Sequence, residues 1–230
     1  MGILRIVATP IGNLEDLTHR AERILKESDF VLCEDTRVTK RLLDHYQIVT
    51  PTISYHQHSG ENKTGKIIAL LKEGKNLALV SDAGTPGLSD PGSKLVTAVR
   101  EELGGAIKIE SVPGVSALTA AISIAGIGFD RFLFLGFLPH KKGRQTMLKT
   151  IFKSEYPAIA YESKHRIVKL LEELIKMSGE LKIPTEVKVA RELTKLFESF
   201  YIGAPGKVLE ELQSDPHSLK GEFVVLINKK

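Results

Sequence analysis

A chain of 230 residues can form one large domain or two small ones, and its 42% hydrophobic and 26% charged residues are ordinary for a soluble globular protein. The formal net charge of +4 favours an anionic partner without requiring one. No apolar stretch reaches the length of a membrane span, and no low-complexity segment is present, so the sequence predicts a folded protein that does not cross a membrane.

The start of the chain and its cysteine content both favour the cytoplasm. The first apolar run, at residues 3–8, is too short for the core of a signal peptide, and no cleavage region follows it. Cys33 is the only cysteine, so no internal disulfide can form, and its place in an apolar run predicts a buried, unreactive thiol.

The first half of the chain alternates between strand-like and helical patterns. Strand-like runs lie at 3–8, 29–33, 51–55, 76–80 and 107–112, with helical patterns at 16–27, 36–45, 61–73 and 92–103. Asp16 or Thr18 is predicted to cap the first helix, and Asp90 followed by Pro91 fits the start of the fourth. Because the strands are mostly apolar, this half is predicted to form a parallel sheet covered on both faces.

The pattern changes after a turn at residues 111–114. A buried helix is predicted near 116–126, then strands at 132–137 and 158–161 with helices near 142–152 and 164–177. The last strand-like runs are closely spaced, with a short helix between the second and third, which favours a mixed sheet; they lie at 186–191, 197–202 and 222–227. We therefore predict two α/β domains, residues 1–114 and 115–230, with the active-site cleft between them.

The most distinctive segment is 81–92, which follows the predicted strand at 76–80 and reads Ser-Asp-Ala-Gly-Thr-Pro-Gly-Leu-Ser-Asp-Pro-Gly. Its glycines permit positive φ and its prolines lock φ, so the backbone path is unusual. A loop at the carboxyl end of a buried strand is where open α/β sheets bind ligands. Small residues let a ligand approach the main chain, and Asp82 and Asp90 add carboxylates. An ordinary strand–helix connection is the alternative.

Two further tight loops follow predicted strands. The segment 8–14 lacks the Gly-x-Gly-x-x-Gly pattern of a dinucleotide site, so either a different ligand approaches the backbone around Pro10 or the segment is a simple turn. The segment 113–117 enters a helix, where free amides and the Ser116 hydroxyl suit a carboxylate or another anion. A plain helix cap at Ser116 is the alternative.

Three common catalytic signatures are incomplete. The segment 60–67 nearly matches a P-loop, but Ile67 replaces the hydroxyl residue that holds magnesium, so we interpret it as a helix entry. His56 and His58 would share one face of a strand, yet no third ligand has a suitable spacing, so no metal site is predicted. The Gly-x-Ser-x-Gly elbow of a serine hydrolase is also missing.

Charged residues collect where predicted strands end. The segment 34–37, Glu-Asp-Thr-Arg, closes the second strand; Arg37 suits a phosphate, while Asp35 suits either chemistry or a helix cap. Three basic clusters lie in the second half, at 136–144, 161–166 and 190–195. Because basic side chains hold nucleic-acid phosphates, these clusters predict an anion-binding rim, with a solvated polar surface as the alternative.

Together these segments resemble the tetrapyrrole methylase superfamily, and within it the branch that acts on ribosomal RNA. The resemblance covers essentially the whole chain and rests on the segments 8–14, 34–37, 81–92, 113–117, 136–139 and 161–163. The Ser-Asp-Ala-Gly-Thr-Pro form of the central loop separates this branch from the porphyrin-acting members, which usually carry Gly-Asp-Pro there.

The resemblance implies a two-lobed α/β fold and a homodimer. It also implies that S-adenosyl-L-methionine binds in a folded pose between the lobes. The implied reaction is 2′-O-methylation of a cytidine ribose in small-subunit (16S) ribosomal RNA, either free or in the 30S subunit; neither DNA nor a membrane is an expected partner. The residues expected to bind the cofactor are Pro10, Asp82, Ala83, Gly84, Thr85, Ser116, Ala117 and Ala190.

A ribose hydroxyl that attacks a methyl group loses its proton, so a nearby carboxylate is expected to accept it. Asp35 is the first candidate, followed by Glu34 and Glu192. The residues expected to bind RNA phosphates are Arg37, Lys141, Lys142, Arg144, Lys164 and Arg166. Two alternatives remain open at this point: a tetrapyrrole methyltransferase of the same fold, and an RNA-binding protein without catalytic activity.

Overall fold

A computed structural model describes residues 1–56, 59–90, 92–126 and 130–229. The chain divides into two compact units, Met1–Ser116 and Ala117–Lys230. Among the described helices, none combines the length and the apolar character that crossing a membrane demands.

Strands and helices alternate through the first unit. In chain order they are β1 (Ile3–Val7), α1 (His19–Glu27), β2 (Phe30–Cys33), α2 (Thr36–His45), β3 (Thr52–Ser54), α3 (Glu61–Lys72), β4 (Leu77–Leu79), α4 (Gly92–Leu103) and β5 (Lys108–Val112). Each pair of neighbouring strands is parallel, in the order β3-β2-β4-β1-β5. The predicted parallel sheet is therefore confirmed, and most element ends differ from the prediction by only a few residues.

Both faces of this first sheet are covered by helices, because successive strand residues point to opposite faces. Val31 and Cys33 pack with apolar residues of α1 and α2, whereas Leu32 packs with those of α3 and α4. This two-sided burial explains why the strands are apolar throughout. Burial also raises the pKa of the Cys33 thiol, as expected for an unreactive cysteine.

Side-chain caps fix where several helices begin. The Thr18 hydroxyl oxygen accepts the Ala21 N–H at 3.1 Å before α1, and the Asp35 carboxylate accepts the Arg37 N–H at 2.8 Å before α2. The Asp90 carboxylate accepts the Gly92 N–H at 2.8 Å at the start of α4, while Pro91 lies outside the described residues. The segment that resembles a P-loop forms the first turns of α3, which confirms its interpretation as a helix entry.

The second unit is built around a mixed sheet. Its elements are α5 (Ala117–Ile124), β6 (Leu133–Phe137), α6 (Arg144–Lys153), β7 (Ala158–Ser163), α7 (Ile167–Leu181), β8 (Thr185–Arg191), β9 (Ser199–Gly203), α8 (Pro205–Ser214) and β10 (Glu222–Lys229). The strand order is β6-β7-β10-β8-β9, with β6 and β7 parallel and the other neighbours antiparallel. This arrangement confirms the predicted mixed sheet.

A network of buried charges joins α6, β7 and α7 in the second unit. The Glu162 carboxylate lies between two guanidinium groups, 3.4 Å from Arg144 Nη1 and 2.9 Å from Arg166 Nε. Arg144 Nε also lies 2.8 Å from Glu173 Oε2. The Glu162 and Arg144 side chains are 0% and 3% exposed, so each charge depends on its partners for compensation.

We expect the substitution Glu162→Gln to lower the free energy of unfolding by about 3 kcal/mol, because it leaves two largely buried guanidinium groups without their shared counter-charge. Urea unfolding at neutral pH measures this loss. Glu172→Gln, at an exposed position on α7, is the matched control and should change stability by less than about 0.5 kcal/mol. Equal losses for the two variants would contradict the prediction.

Candidate active site

Three loops are joined at the carboxyl edge of the first sheet. Thr9, after β1, and Gly84, after β4, exchange two main-chain hydrogen bonds of 2.9 and 3.0 Å. The Thr9 hydroxyl donates to the Ser81 carbonyl at 3.1 Å. The Thr85 hydroxyl donates to the Val115 carbonyl at 3.1 Å and so connects the loop after β5. The loops after β1, β4 and β5 therefore form one hydrogen-bonded rim.

Two glycines make this rim possible. Gly84 has a φ of +78°, a conformation that other residues rarely adopt. At Gly114 the chain after β5 passes so close to the loop after β1 that an added Cβ would lie 3.0 Å from the Ala8 Cβ. The rim residues are thus held in one backbone path by sterics as well as by hydrogen bonds.

An acidic pocket of about 510 Å³ lies in the first unit. The Asp82 carboxylate accepts the Asp35 N–H at 3.1 Å, which joins the loop after β2 to the rim. Carboxylates outnumber the cationic groups in the lining, so the pocket favours a cation over an anion. Its lining comprises Glu34, Asp35, Thr36, Arg37, Ser54, His56 and Asp82.

The two adjacent acids of this pocket differ in electrostatic environment. Arg37 Nε and Nη2 donate to the two Asp35 carboxylate oxygens at 3.0 and 2.7 Å, and these bonds lower the pKa of Asp35 to about 2. The pKa of Glu34 is raised, first by burial and then by the neighbouring carboxylates of Asp82 and Asp90. Glu34 is therefore the stronger base of the two.

The family model described as Tetrapyrrole (Corrin/Porphyrin) Methylases matches residues 4–208. This chain belongs to the tetrapyrrole methylase family. It is similar to the ribosomal RNA small subunit methyltransferase I of Synechocystis sp., with 45% identity over 99% of this chain and 79% of that protein. It is also similar to the same-named protein of Thermotoga maritima, with 40% identity over the full length of both.

A solved structure confirms the fold. The chain is similar to uroporphyrin-III C-methyl transferase from Thermus thermophilus in complex with S-adenosyl homocysteine, with a TM-score of 0.65 and 19% identity. The match covers 98% of this chain and 97% of that one. The predicted membership of the tetrapyrrole methylases and the predicted pair of α/β units are thus both confirmed.

The residues expected to bind the cofactor differ in accessibility in this tetrapyrrole methylase. Asp82 and Ala83 are exposed on the rim, and Thr85 and Ala117 are half-buried. Pro10, Gly84 and Ser116 are buried, so they shape the rim more than they line it. Ala190 is 0% exposed in β8, paired on one side with β10 and on the other with β9, so we leave it out of the candidate site.

Glu192, the third candidate base, belongs to a different local network. Its Oε1 atom lies 2.9 Å from Lys195 Nζ and accepts the Glu222 N–H at 2.9 Å. Burial would raise the pKa of Glu192, but these two bonds and the positive charges of Lys195 and Arg191 together lower it. A carboxylate held in this way fixes the turn after β8 and is a weak proton acceptor.

The residues expected to bind RNA also fall into two groups. Lys141, Lys142 and Lys164 are exposed, and the Arg37 side chain is 85% exposed despite its bonds to Asp35. Arg144 and Arg166 instead belong to the buried charge network around Glu162, where neither has the free surface that a phosphate contact needs. We therefore assign these two arginines to the stability of the second unit.

Sequence reasoning missed two pocket residues, Ser54 and Thr36, and placed His56 only loosely. All three follow or end a parallel strand, so their position at the carboxyl edge was the available signal. His58, paired with His56 in the sequence argument, lies outside the described residues, and β3 ends at Ser54. The described part of the chain contains no group of acids, histidines or cysteines suited to a metal ion.

The opposite pKa shifts predict opposite pH dependences of stability. A carboxyl whose pKa is raised in the folded state destabilises the fold once it ionises, as pH rises above its ordinary pKa of 4.5, so the stability of Glu34→Gln relative to the wild type should increase as pH rises above about 4.5. Asp35 stabilises the fold fully above its ordinary pKa of 3.8, and this contribution disappears as pH falls towards about 2.

Asp35→Asn should therefore be less stable than the wild type at neutral pH, with a difference that vanishes in acid. Urea unfolding of the two variants and the wild type across this pH range measures both differences. The same sign of pH dependence for Glu34→Gln and Asp35→Asn would contradict the assignment.

Proposed function

We propose that this tetrapyrrole methylase transfers a methyl group from S-adenosyl-L-methionine to the 2′-hydroxyl of a cytidine ribose in 16S ribosomal RNA. The observation that carries the proposal is the acidic pocket at the carboxyl edge of the first sheet, which suits a cationic methyl donor. Support for the substrate comes from relatives that are similar over nearly the whole chain and are named as ribosomal RNA small subunit methyltransferases.

The residues of the first unit fit this cofactor. When bound, S-adenosyl-L-methionine supplies an electrophilic methyl group on a positively charged sulfur. Asp82 offers an exposed carboxylate to that positive charge or to the ammonium group, and Ala83 leaves the neighbouring main chain accessible. The wider set of the first unit that would hold the cofactor comprises Pro10, Asp82, Ala83, Gly84, Thr85 and Ser116, and Ala117, the first residue of the second unit, follows Ser116 directly in the chain. The Thermus structure with bound S-adenosyl homocysteine supports the choice of cofactor.

Glu34 is the proton acceptor in this proposal, in place of Asp35. A general base works best when its pKa lies near the working pH, and only Glu34 of this pair has a raised pKa. The bonds from Arg37 keep the Asp35 carboxylate ionised and occupied, so Asp35 holds Arg37 and the start of α2 in place. His56 lines the same pocket and adds a polar group beside the incoming ribose.

Exposed lysines of the second unit complete the proposal. Lys141, Lys142 and Lys164 bind RNA phosphates, which position the substrate without reading its sequence. The same proposal includes a homodimer and a substrate that is either free 16S RNA or the 30S subunit, because the family resemblance implies them. A cytoplasmic location is part of the proposal as well.

The proposal for Asp82 is tested by the substitution Asp82→Asn, which keeps an acceptor for the Asp35 N–H and removes the charge. We expect S-adenosyl-L-methionine to bind about tenfold more weakly, since one charge-assisted contact is lost. Calorimetric titration measures this change, and S-adenosyl homocysteine serves as the comparison ligand without the sulfonium charge. A larger loss for the methyl donor places Asp82 at the sulfonium, and equal losses place it at the ammonium group.

Unchanged affinity for both ligands on a folded Asp82→Asn protein would remove Asp82 from the cofactor site. The control is Glu101→Gln, an exposed position on α4 outside the pocket, which should leave both affinities as they are in the wild type.

The reaction is tested with radiolabelled cofactor. We expect the wild type to label 16S RNA or 30S subunits at a cytidine 2′-oxygen and to leave a porphyrinogen unlabelled. Glu34→Gln should lower kcat by about 100-fold or more, because it removes the proton acceptor, whereas Asp35→Asn should keep most of the activity. Mapping of the labelled nucleotide and single-turnover rates measure these outcomes.

Labelling of the porphyrinogen instead of RNA would favour the tetrapyrrole alternative, and binding of RNA without cofactor would favour the non-catalytic one. Full activity of Glu34→Gln would show that another group accepts the proton.

A further inference from the structure

Helix α2 carries a row of positive side chains that starts at the acidic pocket. Arg37, Lys40 and Arg41 are exposed, and their spacing of three and four residues places them along one side of the helix. The opposite side of α2 is buried against the first sheet through Leu42 and Leu43. Arg37, the first member of the row, also lines the pocket.

Two members of this row form no ion pair with the described residues. Within the described ranges, neither Lys40 nor Arg41 lies in an ion pair, and Asp44 is the only acidic residue of α2 itself. The neighbouring helix α1 differs, because its Arg23 and Lys26 each pair with a glutamate four residues away. The outer side of α2 is therefore a local concentration of positive charge.

The negative charge of the acidic pocket opposes the approach of RNA unless positive groups lie nearby. Its carboxylates attract a cationic cofactor but repel the phosphates on both sides of a target ribose. An RNA strand that inserts one ribose here must have its backbone held from outside the pocket by positive groups. In the first unit, the α2 row lies at the pocket's own border and provides them.

We propose that Arg37, Lys40 and Arg41 bind the phosphates that flank the target nucleotide and so hold its ribose at the acidic pocket. The inference rests on the proposed function and extends it to a specific RNA-contacting surface. Lys40 and Arg41 are positioning residues, since neither lines the pocket. Four residues of helix rise by about 6 Å, so the row spans only one or two consecutive phosphates.

The test compares two double variants with the same change in charge. Lys40→Gln/Arg41→Gln removes two charges from α2, and Lys63→Gln/Lys66→Gln removes two exposed charges from α3, which packs on the other face of the first sheet. Binding of 16S RNA is measured by fluorescence anisotropy at several salt concentrations. Affinity for S-adenosyl-L-methionine, which neither variant should change, verifies that both remain folded.

We expect the α2 variant to bind RNA about tenfold more weakly and to lower the slope of log affinity against log salt by about 0.7 to 1.4, the value for one or two single-strand phosphate contacts. In the methylation assay its KM for RNA should rise with little change in kcat. The α3 variant should behave as the wild type does in both assays.

Unchanged affinity and slope in the α2 variant, or an equal loss in the α3 variant, would overturn the inference. So would a fall in kcat with an unchanged KM, because a positioning role acts on binding. If the wild type methylates 16S RNA and the α2 variant binds RNA as the wild type does, this inference alone is overturned. If the α2 variant binds RNA more weakly but the wild type does not methylate it, the proposed function alone is overturned.

Discussion

The candidate site depends on the pair of main-chain hydrogen bonds between Thr9 and Gly84. These bonds tie the loop after β4 to the loop after β1 and so fix the direction in which the next residues leave the strand. A residue with a side chain would be strained at the φ of Gly84, which is why the path requires glycine. Asp82 precedes this anchor by two residues, and its carboxylate thereby reaches the Asp35 N–H.

This geometry gives two adjacent carboxylates different chemistry. Asp35 forms a forked contact with Arg37, which keeps it ionised, whereas burial and the nearby carboxylates of Asp82 and Asp90 raise the pKa of Glu34. Neighbouring acids whose pKa values are moved in opposite directions are a common mark of catalytic sites, because one remains charged while the other can exchange a proton. A substitution at Asp82 would affect both acids, because the Asp82 carboxylate accepts the Asp35 N–H and its charge raises the pKa of Glu34.

The fold was predictable from the sequence because its signals are local. Helical patterns next to the candidate capping residues Asp35 and Asp90 predicted α2 at 36–45 and α4 at 92–103, and the structure has the same bounds. The place of the candidate site was also predictable, since glycine-rich loops at strand ends need only the order of the elements. The sequence did not show which charged residues lie at the candidate site and which stabilise the fold. Arg144 and Arg166 were predicted to bind RNA phosphates at the surface. In the structure both pair with Glu162, which lies between them.

The same limit applied to the base, because sequence shows Asp35 and Arg37 two residues apart without showing that they bond to each other. A strand end followed by a helix allows either arrangement of the two side chains. What selects the observed one is the cap of α2, in which the Asp35 carboxylate already accepts the Arg37 N–H and so lies beside its guanidinium. The contact that stabilises the helix start thereby removes Asp35 from proton transfer.

Charges of opposite sign lie side by side at α2. This arrangement suits the proposed reaction, which joins a cationic donor to a polyanionic acceptor. The helix itself favours this order. Its N-terminus carries partial positive charge and stabilises Asp35 at the cap, while positive groups further along are favoured towards the C-terminus. Arg37 is the exception, a cation in the first turn, and its forked bond to Asp35 offsets the repulsion. A single short helix can therefore border an acidic pocket at one end and present the proposed phosphate-binding groups along its side.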